Sequence, residues 1–270
     1  VENDLNLEHF FFVRDDEYIV PMIKEALKVR PDMFVYASPW SPPGWMKTGG
    51  SICGGYMRDK YIECYADYLI RYIEEYEKRG IKISGLTPQN ETETGQNGRM
   101  PACIWHPDTE PRFIIALRKK LREKDIDVRV LILDHNFDLW HRVLWQFQEY
   151  PELKECCDGV AFHYYAGAPE DIANVRNKYP ELEYHFTEGG PRLYDNYATD
   201  WCKWGTVMSK ALKQGCTTFT GWNLLLDEVG GPNIGPFFCG GLVTRNSITG
   251  ELSYSGQYHA FGHFTKYIKE

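Results

Sequence analysis

The chain has 270 residues, of which 43% are hydrophobic and 25% charged, with a formal net charge of −8. This is a globular composition with enough length for one large domain and a sizeable core, and it excludes a disordered chain. The acidic excess is scattered and offers no clustered basic surface for phosphates, so no nucleic-acid partner is expected; no apolar run approaches the roughly 20 residues of a membrane span.

The chain opens Val1-Glu2-Asn3-Asp4, without an initiating Met or an apolar leader. A processed product or an internal piece of a longer gene would begin this way, and the cellular compartment stays open. Phe10-Phe11-Phe12-Val13 reads as an extra strand or a packed loop. Residues 16–29 read as a helix, 33–38 as a strand and 58–79 as a second helix. In that second helix Tyr61, Cys64, Tyr65, Tyr68, Leu69, Tyr72, Ile73 and Tyr76 recur at helical spacing, and Gly80 supplies a stop. Strands follow at 81–87, 128–134, 159–163, 183–187 and 217–222, with helices at 109–124, 137–149, 169–178 and 200–214, and a helix-like stretch at 257–269. Strand–helix alternation implies parallel strands with right-handed crossovers. A closed (β/α)₈ barrel needs eight strands. The fold class is therefore α/β and TIM-barrel-like, an incomplete barrel of about six parallel strands, with residues 1–270 forming a single domain.

Two carboxylates stand where such a fold places its chemistry. Glu91 follows the second strand in Pro88-Gln89-Asn90-Glu91, and Glu188 closes the fifth in His185-Phe186-Thr187-Glu188. The C-terminal ends of barrel strands form the active-site face. Two glutamates there suit glycosidic bond cleavage, in which one protonates the leaving oxygen and the other attacks the sugar or activates water. A surface loop glutamate is the plainer reading of Glu91 alone, and Glu93 competes with it; a rim ion pair is the plainer reading of Glu188. Around them, Trp40 sits on a proline-stiffened loop after the first strand, Trp222 ends the last strand, and Asn90, His163 and Tyr165 are polar groups at strand ends. Aromatic planes suit the apolar faces of pyranose rings, although Trp40 and Trp222 also read as caps on the core. Tyr165 is placed to hydrogen-bond the nucleophile.

The eight cysteines include no C-x-x-C pair, and no H-E-x-x-H motif occurs. Asp134-His135-Asn136 has too few partners to hold an ion. No metal and no cofactor is expected. One disulfide remains possible. The Gly-rich stretch 227–233 lacks the Lys-Ser/Thr pair of a phosphate-binding loop.

The motifs Ser38-Pro39-Trp40-Ser41-Pro42-Pro43-Gly44-Trp45-Met46-Lys47, Gln89-Asn90-Glu91, Phe162-His163-Tyr164-Tyr165, Phe186-Thr187-Glu188-Gly189 and Trp222-Asn223-Leu224 occur in that order. Jointly with the Gly-rich stretch after them, they resemble glycoside hydrolase family 30, which includes glucosylceramidases, β-1,6-glucanases and xylan-active enzymes. The resemblance implies a retaining β-glycosidase on a (β/α)₈ barrel, with Glu91 as acid/base and Glu188 as nucleophile. It implies a β-glucoside or related β-linked carbohydrate as substrate, with an endo-acting xylanase or β-1,6-glucanase as the alternative. Thr92 stands where the family usually has Pro. By the family pattern the chain begins after the first two barrel strands and ends before the β-sandwich. An impaired barrel that only binds carbohydrate is a reading from another class, and a purely structural fragment is a third. Strand edges left open by a partial barrel would be covered by self-association, so a homodimer is expected, with Phe10, Phe11 and Phe12 at its interface.

Overall fold

The computed structural model describes residues 2–233 and 237–268. Six parallel strands are hydrogen-bonded in sequence order: β1 (Tyr36–Ala37), β2 (Gly85–Leu86), β3 (Arg129–Asn136), β4 (Gly159–His163), β5 (Glu183–Glu188) and β6 (Cys216–Phe219). Sequence order with parallel pairing is the topology of a (β/α) barrel. The helices are α1 (Val20–Val29), α2 (Ile62–Lys78), α3 (Thr109–Glu123), α4 (Trp140–Glu149), α5 (Ile172–Arg176), α6 (Trp201–Lys213) and α7 (Gly256–Tyr267). The chain falls into two compact units, Val1–Asp134 with Leu144–Gly159, and His135–Val143 with Val160–Glu270.

In the first unit β1 and β2 pair in parallel over only two residues each, Tyr36 with Gly85 and Ala37 with Leu86. Gly85 pairs with Arg129 and Leu86 with Val130 on the other side. A side chain at Gly85 would meet the Phe34 ring at 2.7 Å, so the close approach requires glycine. The buried stripe of α2 includes Cys64, Tyr65, Leu69, Ile70, Ile73 and Tyr76, the i, i+4 pattern of one helix face. Tyr65 meets Phe113 of α3 with ring centroids 5.3 Å apart, and Trp105 meets the same phenylalanine at 5.0 Å. Each such apolar side chain contributes about 1.5–3 kcal/mol on full burial. In β3, Val130, Leu131, Ile132 and Leu133 are all fully buried, as a strand covered on both faces requires.

The aromatic run near the N-terminus is a packed loop. Phe12 is buried edge-on against Tyr76 at 4.9 Å and lies under the Arg79 guanidinium, while Phe10 meets Tyr68 at 5.0 Å. Those two rings are engaged within the chain. Phe11 alone of the three projects outward, 79% exposed.

In the second unit β5 and β6 pair in parallel, with Phe186 stacked on Phe219 at 3.7 Å. Phe137 packs against Phe162 and Phe186, and Phe261 of α7 meets Phe219 edge-on. A small sheet absent from the sequence reading follows: β7 (Leu225–Leu226), β8 (Val243–Arg245) and β9 (Leu252–Tyr254). All eight cysteines are free thiols. Among the described residues no helix is long and apolar enough to cross a membrane.

Candidate active site

Glu91 lies in the first unit, on the turn that follows β2. The whole stretch from Thr87 to Thr92 that the structure lays behind β2 is buried, and Glu91 is only 8% exposed. Its backbone is left-handed, with φ +53°. That conformation costs a non-glycine residue on the order of 1–3 kcal/mol and persists only where surroundings over-determine it. Here the Glu91 amide donates to the Asp134 carbonyl at 2.8 Å, and the Asn90 amide to the Pro39 carbonyl at 2.8 Å. Asp134 and Leu133 are themselves left-handed, with φ +48° and +73°. They are fixed in turn. The Leu133 amide donates to the buried carboxylate of Glu110 at 2.8 Å, and the Asp134 carboxylate accepts from Ser38 Oγ and from Thr87 Oγ1. Three strand ends therefore meet at Asp134, and Glu91 hangs from its carbonyl.

The sugar-facing candidates of this unit are tied to the same shelf. Gln89 Nε2 donates to the Trp40 carbonyl at 2.7 Å, and Gln89 Oε1 accepts from the Trp105 indole at 3.2 Å. Thr92, where the family usually has proline, donates its hydroxyl to the Leu133 carbonyl at 3.3 Å, so a hydrogen bond supplies the rigidity that a ring otherwise would. Gln96 reaches back and donates to Glu91 Oε2 at 2.6 Å.

Behind the shelf sits a fully buried lysine. Lys47 Nζ donates to the carbonyls of Ile52, Gly54 and Ala102 at 2.8, 2.7 and 2.7 Å. Burial makes this ammonium easier to deprotonate than an exposed one. Its partners lie on the two loops that border residues 91–99, and it ties them to each other.

Glu188 lies in the second unit, at the last position of β5, and is 7% exposed. The Tyr165 hydroxyl donates to its Oε1 at 2.9 Å, and His163 Nδ1 stands 4.0 Å from the same oxygen. The Tyr165 amide is held by the Asn136 side chain at 3.1 Å, and the Arg192 guanidinium lies 5.0 Å above the Tyr165 ring. The backbone beyond Glu188 is pressed against Trp222: the Trp222 amide donates to Gly189, and a β-carbon at Gly190 would fall 1.6 Å from the Trp222 carbonyl. Only glycine fits there. Buried Gln257 of α7 adds a donor to the Gly189 carbonyl at 2.8 Å.

Of the residues singled out in sequence, Trp40, Asn90 and Glu91 thus share one hydrogen-bonded shelf, and His163, Tyr165, Glu188 and Trp222 share one cluster. Glu93, the competitor to Glu91, is exposed. Sequence reasoning missed Asp134 as the anchor, Gln96 as a contact to Glu91, Lys47 as a tie between loops, and Gln257. A polar Ser, Thr and Asp at three successive strand ends was the one signal that pointed to the anchor.

Parallel strands in sequence order, with buried glutamates at or just beyond the C-terminal ends of β2 and β5, define a barrel-type α/β fold. The chain belongs to glycosyl hydrolase family 30, whose TIM-barrel domain matches residues 1–268. It is 31% identical to putative glucosylceramidase 3 of Caenorhabditis elegans, an alignment covering 99% of this chain and 55% of the relative. It is 26% identical to an endo-1,6-beta-D-glucanase of Neurospora crassa, covering 100% of this chain and 57% of that protein. The crystal structure of SrfJ from Salmonella typhimurium superposes with a TM-score of 0.90 at 28% identity, covering 100% of this chain and 62% of that one. The chain spans about half the length of the curated relatives it matches.

Proposed function

We propose that this chain carries the catalytic groups of a retaining β-glycosidase in one catalytic domain, acting on a β-glucoside or a related β-linked sugar. The observation that carries the reading is Glu188, buried at the end of β5 with a phenol hydroxyl 2.9 Å from one oxygen. A hydrogen bond to the charged form keeps a carboxylate ionised, and an ionised, oriented carboxylate is what nucleophilic attack on an anomeric carbon requires.

In the first step Glu188 attacks the anomeric carbon, Glu91 gives its proton to the departing oxygen, and a glycosyl-enzyme ester forms. In the second step Glu91, now ionised, takes a proton from water, which displaces Glu188 with overall retention. Trp40 and Trp222 serve as apolar walls for the sugar ring, with Asn90, His163 and Tyr165 as polar positioners. No cofactor enters this scheme. The likeness to an endo-1,6-beta-D-glucanase favours β-1,6-glucan as the alternative substrate.

A panel of aryl β-glycosides (gluco, xylo, galacto, fuco), assayed with the wild type and with Glu91→Gln and Glu188→Gln, tests the proposal. Turnover by the wild type with loss in both variants is expected. Sugar binding without turnover in all three proteins would replace the enzyme by a carbohydrate-binding remnant. Self-association through exposed Phe11 belongs to the same reading, and sedimentation at micromolar concentration should give a dimer that Phe11→Ser converts to monomer. A wild-type monomer would refute it.

A further inference from the structure

We infer that Gln96 is a positioning residue that selects which oxygen of Glu91 carries the proton and sets the pH at which that proton is lost. The inference rests on the acid/base role proposed for Glu91. Gln96 Nε2 lies 2.6 Å from Glu91 Oε2, a short contact between an amide donor and a carboxyl oxygen. An N–H group must be met by an acceptor, so Oε2 serves as the acceptor and the acidic proton is left to Oε1. The ionised carboxylate accepts a stronger hydrogen bond than the neutral acid does, so the amide also favours the ionised form.

The loop is shaped to deliver that amide. Gln96, Asn97 and Gly98 are left-handed in succession, with φ +47°, +51° and +68°. Non-glycine residues seldom adopt this conformation. The turn is closed by the Gly98 amide on the Gly95 carbonyl at 2.9 Å and the Arg99 amide on the Gln96 carbonyl at 3.0 Å. Its floor is Gly54, where a β-carbon would come within 3.1 Å of the Gly95 carbonyl oxygen and 3.3 Å of Gly98. Gly54 is in turn held by the Lys47 ammonium. The loop therefore has little freedom, and its Gln96 carboxamide is aimed at the carboxylate five positions earlier in the chain.

Gln96→Met keeps the length of the side chain and removes the donor. Its alkaline limb of kcat/KM should move up by about one pH unit, because Glu91 then holds its proton to higher pH. Cleavage of an alkyl glycoside should fall about tenfold at neutral pH, while a dinitrophenyl glycoside, which needs little protonation, should change by no more than about twofold. Gln96→Glu should move the same limb further up, since two carboxyl groups in contact hold a proton between them. Asn97→Gly, an exposed left-handed neighbour, should change nothing. If Gln96→Met leaves both the limb and the leaving-group dependence unmoved while Glu91→Gln cripples alkyl glycoside cleavage, the inference fails and the role of Glu91 stands. If Glu91→Gln cleaves alkyl glycosides normally, the role of Glu91 itself fails. A carboxyl ¹³C titration, with the Glu91 signal assigned by its loss in Glu91→Gln, reads the pair without turnover. An unchanged midpoint in Gln96→Met would overturn the inference.

Discussion

Glu188 stands on regular strand backbone, while Glu91 stands on a left-handed turn that hangs from a second left-handed pair in β3. The nucleophile candidate accepts from the Tyr165 phenol, has His163 beside the same oxygen, and is followed by glycines that let Trp222 close in. The acid/base candidate is oriented by a network of at least five polar side chains: Ser38, Thr87, Asp134, Glu110 and Gln96. The difference follows the chemistry. A nucleophile needs one fixed direction and must stay unprotonated until it attacks. An acid/base must change its charge twice per turnover while holding its geometry, so its surroundings must supply the rigidity that its own backbone does not.

Substitution of the two carboxylates should separate them most sharply. Glu188→Gln should lower kcat on every substrate by a factor on the order of 10⁶, the scale seen when a covalent nucleophile is removed. Glu91→Gln should cost roughly 10²–10⁴-fold on an alkyl glycoside and far less on a dinitrophenyl glycoside. Added azide should speed only the Glu91 variant on activated substrates with retained configuration. Equal losses on both substrates in the Glu91 variant, with rescue seen at Glu188, would mean the roles are reversed.

The loop network predicts a large effect on stability at a distance from either carboxylate. Lys47→Met fits the volume but strands buried carbonyls that the ammonium now satisfies. The expected loss is about 3 kcal/mol, or roughly 6–12 °C in Tm. The surviving folded protein should lose alkyl glycoside cleavage more than dinitrophenyl glycoside cleavage, because the loops it ties border Glu91. Parallel loss on both substrates would break the link between this lysine and the acid/base shelf.

Tyr165→Phe should act on the other carboxylate. It removes the donor that favours ionised Glu188, so Glu188 becomes protonated at a higher pH. The acid limb of kcat/KM should therefore move up, with a loss of roughly 10–100-fold at neutral pH. A shift in the alkaline limb alone would assign Tyr165 to Glu91 instead.

The smallest effect is a control on the second unit. Gly205 lies inside α6 with nothing within 4 Å of where a β-carbon would sit. Gly205→Ala should stabilise by about 0.5–1 kcal/mol through helix propensity alone, read as a higher denaturant midpoint with unchanged activity. A lower midpoint would contradict the open space beside Gly205.

Much of this was legible in the sequence. The strands β3, β4 and β5 agree with their apolar runs to within two residues, since burial on both faces leaves a continuous signal from Val130 to Leu133 or Val160 to Phe162. By contrast, 33–38 and 81–87 contract to ladders of two residues, although Ile81 and Ile83 are buried as their pattern implied. Apolar spacing reports burial, and it does not report backbone pairing. The strands β7 to β9 left no mark because they are two or three residues long and β9 is exposed throughout. Glu91 and Glu188 were visible as glutamates ending β-prone runs. Gln96 and Lys47 were not, because their partners are set by left-handed turns and by backbone carbonyls, neither of which has a residue pattern.

The central claim is that Glu188 forms a covalent bond to the sugar. Incubation with an activated 2-deoxy-2-fluoro-β-glucoside, followed by proteolysis and mass spectrometry, tests it most directly, because the fluorine slows the second step and traps the ester. One fluoroglucosyl group on the peptide carrying Glu188 is expected, with none in Glu188→Gln. Label on a different carboxylate, or an enzyme that turns over β-glucosides with inversion and never labels, would contradict it.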